Sequence, residues 1–112
     1  MFNFLWGKGG KQWEEISSTE LKKRLAGDNP PAVIDVREPY EFRQGHIPGA
    51  TLIPLGRLQS KVSSLDRSKP YVLVCLSGSR SRQACGLLAQ AGVEQITNLT
   101  GGMSSWDGEI TR

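Results

Sequence analysis

One cysteine in this chain stands where a reactive thiolate is expected. Cys75 follows the apolar stretch Tyr71-Val72-Leu73-Val74 and precedes Leu76-Ser77-Gly78-Ser79-Arg80. A buried strand that ends in cysteine, turns through a short Gly/Ser loop and opens a helix puts the thiol at the carboxyl edge of an α/β sheet, where ligands bind. Successive backbone N–H groups in such a loop converge on an anion. The helix directs its positive end at the same point, and Arg80 adds a full charge. Such surroundings lower a cysteine pKa from ~8.5 to roughly 3.5–7.5. Gly78 permits a positive φ and close backbone approach, and Ser77 and Ser79 offer hydroxyl donors to a bound anion. A cysteine already ionised needs no general base. The opposing reading makes Cys75 a small buried strand residue.

The other reactive side chains take supporting roles. Asp35 ends a second apolar strand and is read in two ways. It orients an arginine, Arg80 or Arg37, or it caps backbone N–H groups as strand-end carboxylates do. Arg37 and Glu41 are read as an ion pair holding the loop between them. His46, the only histidine, is read as a hydrogen-bonder that fixes its loop. Gly101, Gly102 and Trp106 read as turn and packing residues. Cys85 reads as a buried structural thiol. The alternative, a resolving cysteine for Cys75, requires Cα atoms within ~7 Å. Arg82 and Arg43 either lend positive field to the site or are simply solvated. A single histidine excludes a two-cysteine, two-histidine zinc site within one chain. Gly7-Lys8-Gly9-Gly10 lacks the spacing of a phosphate loop, so no metal and no cofactor is expected.

These side chains need a scaffold, and hydrophobic periodicity supplies one. Trp13–Ile16 reads as a short strand. Ser17-Ser18-Thr19-Glu20 fits a capping box, with Ser17 at the N-cap, before a helix over 18–26. Ala32–Val36 and Tyr71–Cys75 read as strands covered on both faces. Residues 39–44 form a helical turn with Pro39 at its start, Ala50–Ile53 a short strand, and Leu55–Leu65 a weakly periodic helix. Arg80–Ala91 is a helix with Ala84, Leu87, Leu88 and Ala91 on one stripe, closed by Gly92. Gln95–Leu99 is the last strand. Strands alternating with helices predict an α/β domain with a mostly parallel sheet. Residues 1–12 stand apart as an N-terminal appendage, either flexible or docking on a partner or a membrane surface through Phe2, Phe4, Leu5 and Trp6. Residues 13–112 form the domain.

Composition bounds the function classes. The chain has 112 residues, 38% hydrophobic and 22% charged, ordinary for one soluble domain. Its longest apolar run, Tyr71–Leu76, is far short of the ~20 residues of a membrane span. A net charge of +3 without a dense basic run gives no nucleic-acid footprint. Two cysteines exclude a disulfide scaffold. No targeting segment is evident, so the expected compartment is a reducing cytoplasm, with both cysteines as thiols.

Three separated motifs resemble those of single-domain rhodanese-like sulfurtransferases. The first runs from Val33-Ile34-Asp35-Val36-Arg37-Glu38-Pro39-Tyr40-Glu41-Phe42 to Gly45-His46-Ile47-Pro48-Gly49-Ala50. The second is the Cys75–Arg80 loop, and the third is Gly101-Gly102-Met103-Ser104-Ser105-Trp106. Their order and spacing match the family's pattern across residues 13–107. The resemblance implies a five-stranded, mostly parallel sheet with helices on both faces. It implies a sulfurtransferase in which the Cys75 thiolate takes a sulfane sulfur as a persulfide and passes it to a nucleophilic acceptor, by two-step covalent catalysis. Leu76, Ser77, Gly78, Ser79 and Arg80 would cradle the persulfide, with Asp35 and Arg37 in support. The implied partners are a small sulfur donor and a thiol or cyanide-like acceptor, or a protein in either role. At Leu76 the chain departs from the family's usual arginine, which disfavours small dianionic donors such as thiosulfate.

Two rival classes share these features. A phosphatase of the related cell-cycle type uses Cys-x5-Arg, but here Arg80 stands at Cys-x4-Arg and Ser81 occupies the x5 position. The shorter loop makes a smaller cradle, better suited to sulfur. A persulfide carrier or binding module serving one dedicated partner would have the same sequence, with residues 1–12 as its docking element.

Overall fold

A computed structural model describes residues 12–112; the expected appendage, apart from Gln12, lies outside the described residues. Five strands form one sheet: β1 (Glu14–Ile16), β2 (Ala32–Asp35), β3 (Thr51–Leu52), β4 (Pro70–Val74) and β5 (Gln95–Leu99). Their order is β1-β5-β4-β2-β3, and every pairing is parallel. The sheet is thus parallel throughout, where a mostly parallel one was expected. Helices α1 (Ser18–Leu25), α2 (Pro39–Gln44), α3 (Leu55–Lys61) and α4 (Ser79–Gln90) make the connections, with a 3-10 turn over Val62–Ser64, and α5 (Gly102–Ser105) follows the last strand. That turn breaks the periodic stretch 55–65 into two pieces.

Alternation along the strands divides the core in two. Tyr71, Leu73 and Cys75 lie in one buried cluster with Ile34, Val36, Leu58, Ala84, Cys85 and Leu88. Val72 and Val74 lie in the other with Val33, Ile16, Leu21 and Leu99, against which Met103 and Trp106 pack. Helices α3 and α4 therefore cover one face, and α1 and α5 the other. Burying each leucine stabilises the fold by about 1.5–3 kcal/mol, and Leu73 and Leu88 are fully buried. The run Tyr71–Cys75 is apolar at every position because both of its faces are covered.

Local caps fix the helix starts. Ser17 Oγ accepts from Glu20 N at 3.1 Å. The expected capping box is only half formed, because the Glu20 carboxylate accepts instead from Arg24 Nε at 2.9 Å. At α2 the Glu41 carboxylate reaches back to Glu38 N at 2.9 Å, with Pro39 in the first turn, where its missing N–H costs nothing.

Candidate active site

Only four residues, Cys75 to Gly78, separate the end of β4 from the start of helix α4, and they wrap around the Cys75 sulfur. Gly78 N donates to Cys75 Sγ at 3.0 Å, and the Ser81 hydroxyl donates to it at 3.3 Å. The tight wrap depends on Gly78, which adopts φ +108, a region that L side chains avoid. Burial pushes the thiol pKa up. The Ser81 hydroxyl and the backbone N–H groups of Ser81, Gly78 and Ser77 outweigh it, and hold the thiol below its ordinary value. The loop thus favours an anionic sulfur at its centre. Leu76 and Ser77 are exposed at the rim, and Cys75 is buried beneath them.

Ser81 is the site residue that sequence reasoning missed. It is fully buried in the first turn of α4, with Oγ also 3.1 Å from Gly78 O. The signal was present, since Ser81 is six residues after Cys75 and one turn into the helix whose N-terminus faces the sulfur.

Arg80 departs from its expected use. Its guanidinium forms a two-pronged pair with Glu41, Nη1–Oε1 2.8 Å and Nη2–Oε2 3.0 Å. Arg80 holds the Glu41 carboxyl down at about 2, against burial, which pushes it up. The loop's one arginine is therefore neutralised across the fold, and the thiolate is favoured by hydrogen-bond donors rather than by a free cation. This also corrects the expected Arg37–Glu41 pair. Arg37 instead pairs with Asp35, Nη2–Oδ2 2.8 Å and Nε–Oδ1 2.9 Å, and donates to Gly45 O at 2.9 Å. Arg37 N also bonds Asp35 Oδ1 at 3.1 Å. Asp35 thus both orients Arg37 and caps a backbone N–H, and the buried pair ties together the loop that carries Glu41.

The third motif, Gly101 to Trp106, reaches the loop directly. Met103 N donates to Cys75 O at 2.8 Å and Ser104 N to Leu76 O at 2.9 Å. A Cβ on Gly102, at φ +57, would collide with both carbonyl oxygens. Gly102 is therefore more than a turn residue, because it lets the start of α5 hold the carbonyl side of the Cys75 loop. Trp106 does pack as expected, with Nε1 donating to Glu109 O at 2.9 Å.

The remaining residues stand apart from the sulfur. His46 donates from Nδ1 to Phe42 O at 2.8 Å and stacks on the Phe42 ring, fixing its loop as expected. Arg82 bonds Glu15 at 3.0 Å instead of standing free at the mouth. Cys85 is free and fully buried, and burial pushes its thiol up, which matches the structural reading. Among the described residues no cluster of three His, Cys, Asp or Glu could hold a metal ion. Among them, too, no helix is long and apolar enough to cross a membrane.

Comparison with known proteins agrees with this architecture. Residues 17–109 match the rhodanese-like domain. The putative sulfurtransferase YtwF of Bacillus subtilis is 41% identical over 86% of this chain and 92% of its own length. A sulfurtransferase of Allochromatium vinosum is 38% identical over 82% of this chain and 86% of its own. The crystal structure of SSP1007 from Staphylococcus saprophyticus superposes with a TM-score of 0.82 at 34% identity, covering 88% of this chain and 99% of that one. With the family's motifs converging on one cysteine loop, the chain belongs to the rhodanese-like family.

Proposed function

We propose that this protein is a sulfurtransferase that carries sulfane sulfur as a persulfide on Cys75. The observation that carries the reading is a buried sulfur facing the Gly78 N–H and the Ser81 hydroxyl, in a loop that favours its anion. In the first half-reaction the thiolate attacks the outer sulfur of the donor. The donor's S–S bond breaks and its inner sulfur leaves with the electron pair. Backbone N–H groups from Leu76 to Arg80 steady the outer sulfur until a thiol or cyanide-like nucleophile removes it. The relatives named as sulfurtransferases support the same chemistry.

The donor is a persulfide rather than thiosulfate. A dianion needs cationic partners, yet Leu76 supplies none and the Arg80 guanidinium is held by Glu41. Intact-mass spectrometry after incubation with cysteine persulfide, on wild type and Cys75→Ser, tests the chemistry. One added sulfur atom on wild type alone is expected; none on wild type refutes it. Thiosulfate:cyanide turnover of Leu76→Arg tests the donor. It should exceed that of wild type, and equal rates would remove the preference.

A further inference from the structure

Two strands from β4 the sheet ends in an open edge. β3 is the last strand, so its outer side has no strand partner. Along it runs a groove of about 820 Å³, lined by Pro39, Leu52, Ile53, Pro54, Arg57 and Lys61. Arg57 and Lys61 stand one turn apart on α3, both exposed. Like charges at that spacing repel. Among the described residues neither has a carboxylate partner, a state they share with Arg43, Arg67, Lys69 and Arg112, whereas Lys22, Arg24, Arg37, Arg80 and Arg82 are paired; Arg57 and Lys61 are the two that line the groove. Glu38, at the N-cap of α2, is the one carboxylate lining the groove.

The groove lies on the same side of β4 as β2, at a distance that a bound segment can span. β3 is two strand steps from β4, a distance of about 10 Å, and Cys75 directly follows β4. Pro39 lines the groove, and Tyr40, the next residue, is 59% exposed. Glu41, after that, holds Arg80 of the sulfur loop. Leu76, also exposed, stands at the rim over Cys75. An apolar floor, a strand edge without a strand partner and two cations without carboxylate partners therefore lie two strands from the strand that ends at the buried sulfur.

We infer that this groove receives an extended acidic segment of a protein that delivers persulfide sulfur to Cys75, a role that rests on the persulfide reading above. The strand edge offers main-chain hydrogen bonds to an extended chain. Arg57 and Lys61 select acidic side chains on it. The transfer is balanced: the Cys75 thiolate forms a bond to the donor's outer sulfur, the donor's S–S bond breaks, and the donor cysteine leaves as a thiolate. No outside oxidant takes part.

The test uses the full chain and three donors: an acidic peptide with a terminal cysteine persulfide, the same peptide with its carboxylates replaced by serine, and free cysteine persulfide. Sulfur loading of Cys75 is followed by intact mass. Wild type should load from the acidic peptide with a second-order rate constant roughly tenfold above that for the neutral one, a preference that salt erodes. Arg57→Glu with Lys61→Glu should abolish that preference, and the milder Arg57→Gln with Lys61→Gln should reduce it. Both variants should load from free cysteine persulfide as fast as wild type. Loading by free cysteine persulfide with no preference for the acidic peptide overturns the groove assignment alone. An undiminished preference in the double variants does the same. Absence of loading from every donor overturns the persulfide reading itself.

Discussion

Replacing Ser81 by alanine separates the two forces acting on Cys75. Burial opposes ionisation, and the Ser81 hydroxyl is foremost among the groups that offset it. That hydroxyl carries one proton for two acceptors, Sγ at 3.3 Å and Gly78 O at 3.1 Å. Beside a neutral thiol the proton serves the carbonyl; beside a thiolate it turns to the sulfur. A hydrogen bond to a charged group is worth about 1.5–3 kcal/mol, and the neutral bond given up about 0.5–1.5 kcal/mol. The difference, about 1–1.5 kcal/mol, corresponds to roughly a tenfold change in thiolate population on the rising limb of the titration. Gly78 O also accepts from Arg82 N at 3.2 Å, so the truncation orphans no carbonyl and the fold should hold. The assay is the rate of iodoacetamide alkylation of Cys75 against pH. In Ser81→Ala the rate should fall about tenfold on the rising limb and converge with wild type on the alkaline plateau. Superimposable pH profiles for the two proteins would refute the role given to the hydroxyl.

Gly102→Ala should cost about 2–4 kcal/mol, from the positive φ and the collision with the Cys75 and Leu76 carbonyls, read as a lower urea midpoint. It should also slow persulfide loading; a wild-type midpoint would show that α5 does not hold the loop. Glu41→Gln frees the Arg80 charge, so thiosulfate loading should rise while the thermal midpoint falls by several degrees; unchanged loading would show that Arg80 faces away from the sulfur. The Glu41 carboxyl is held down at about 2 from an ordinary 4.5, chiefly by Arg80. Its contribution is complete above pH 4.5 and is lost as pH falls through about 2. The stability gap between wild type and Glu41→Gln should therefore shrink over that acid range, and a constant gap would count against the pairing.

Much of the scaffold was legible because it is written in local periodicity. The strand over Gln95–Leu99 and the helix over Pro39–Gln44 have the expected bounds, and the remaining strands and longer helices begin or end within a residue or two. Leu55–Leu65 was the exception, since its last turn tightens to a 3-10 form around Val62. The position of Cys75 was legible too, because a cysteine between an apolar strand and a Gly/Ser turn has few other places to go.

What periodicity does not report is which side chain meets which across the fold. Arg80 and Glu41 are 39 residues apart, and nothing in their spacing distinguishes that pair from Arg37 with Glu41. The sheet order decides it. β2 and β4 lie side by side, so the loops after them face each other, while Asp35, two residues before Arg37, takes the nearer guanidinium. Gly102 likewise looks like a turn residue until α5 is brought against the Cys75 loop.

The sequence by itself determined a thiol at the end of a buried strand, with donors ahead of it, because strand, turn and helix starts obey short-range rules. Only the tertiary structure decided how that thiol is made acidic. The charge expected to do so is neutralised by a distant carboxylate, and a buried serine hydroxyl and three backbone N–H groups act on the sulfur instead. Long-range packing, which brings the loops after β2 and β4 together, gave Arg80 its partner.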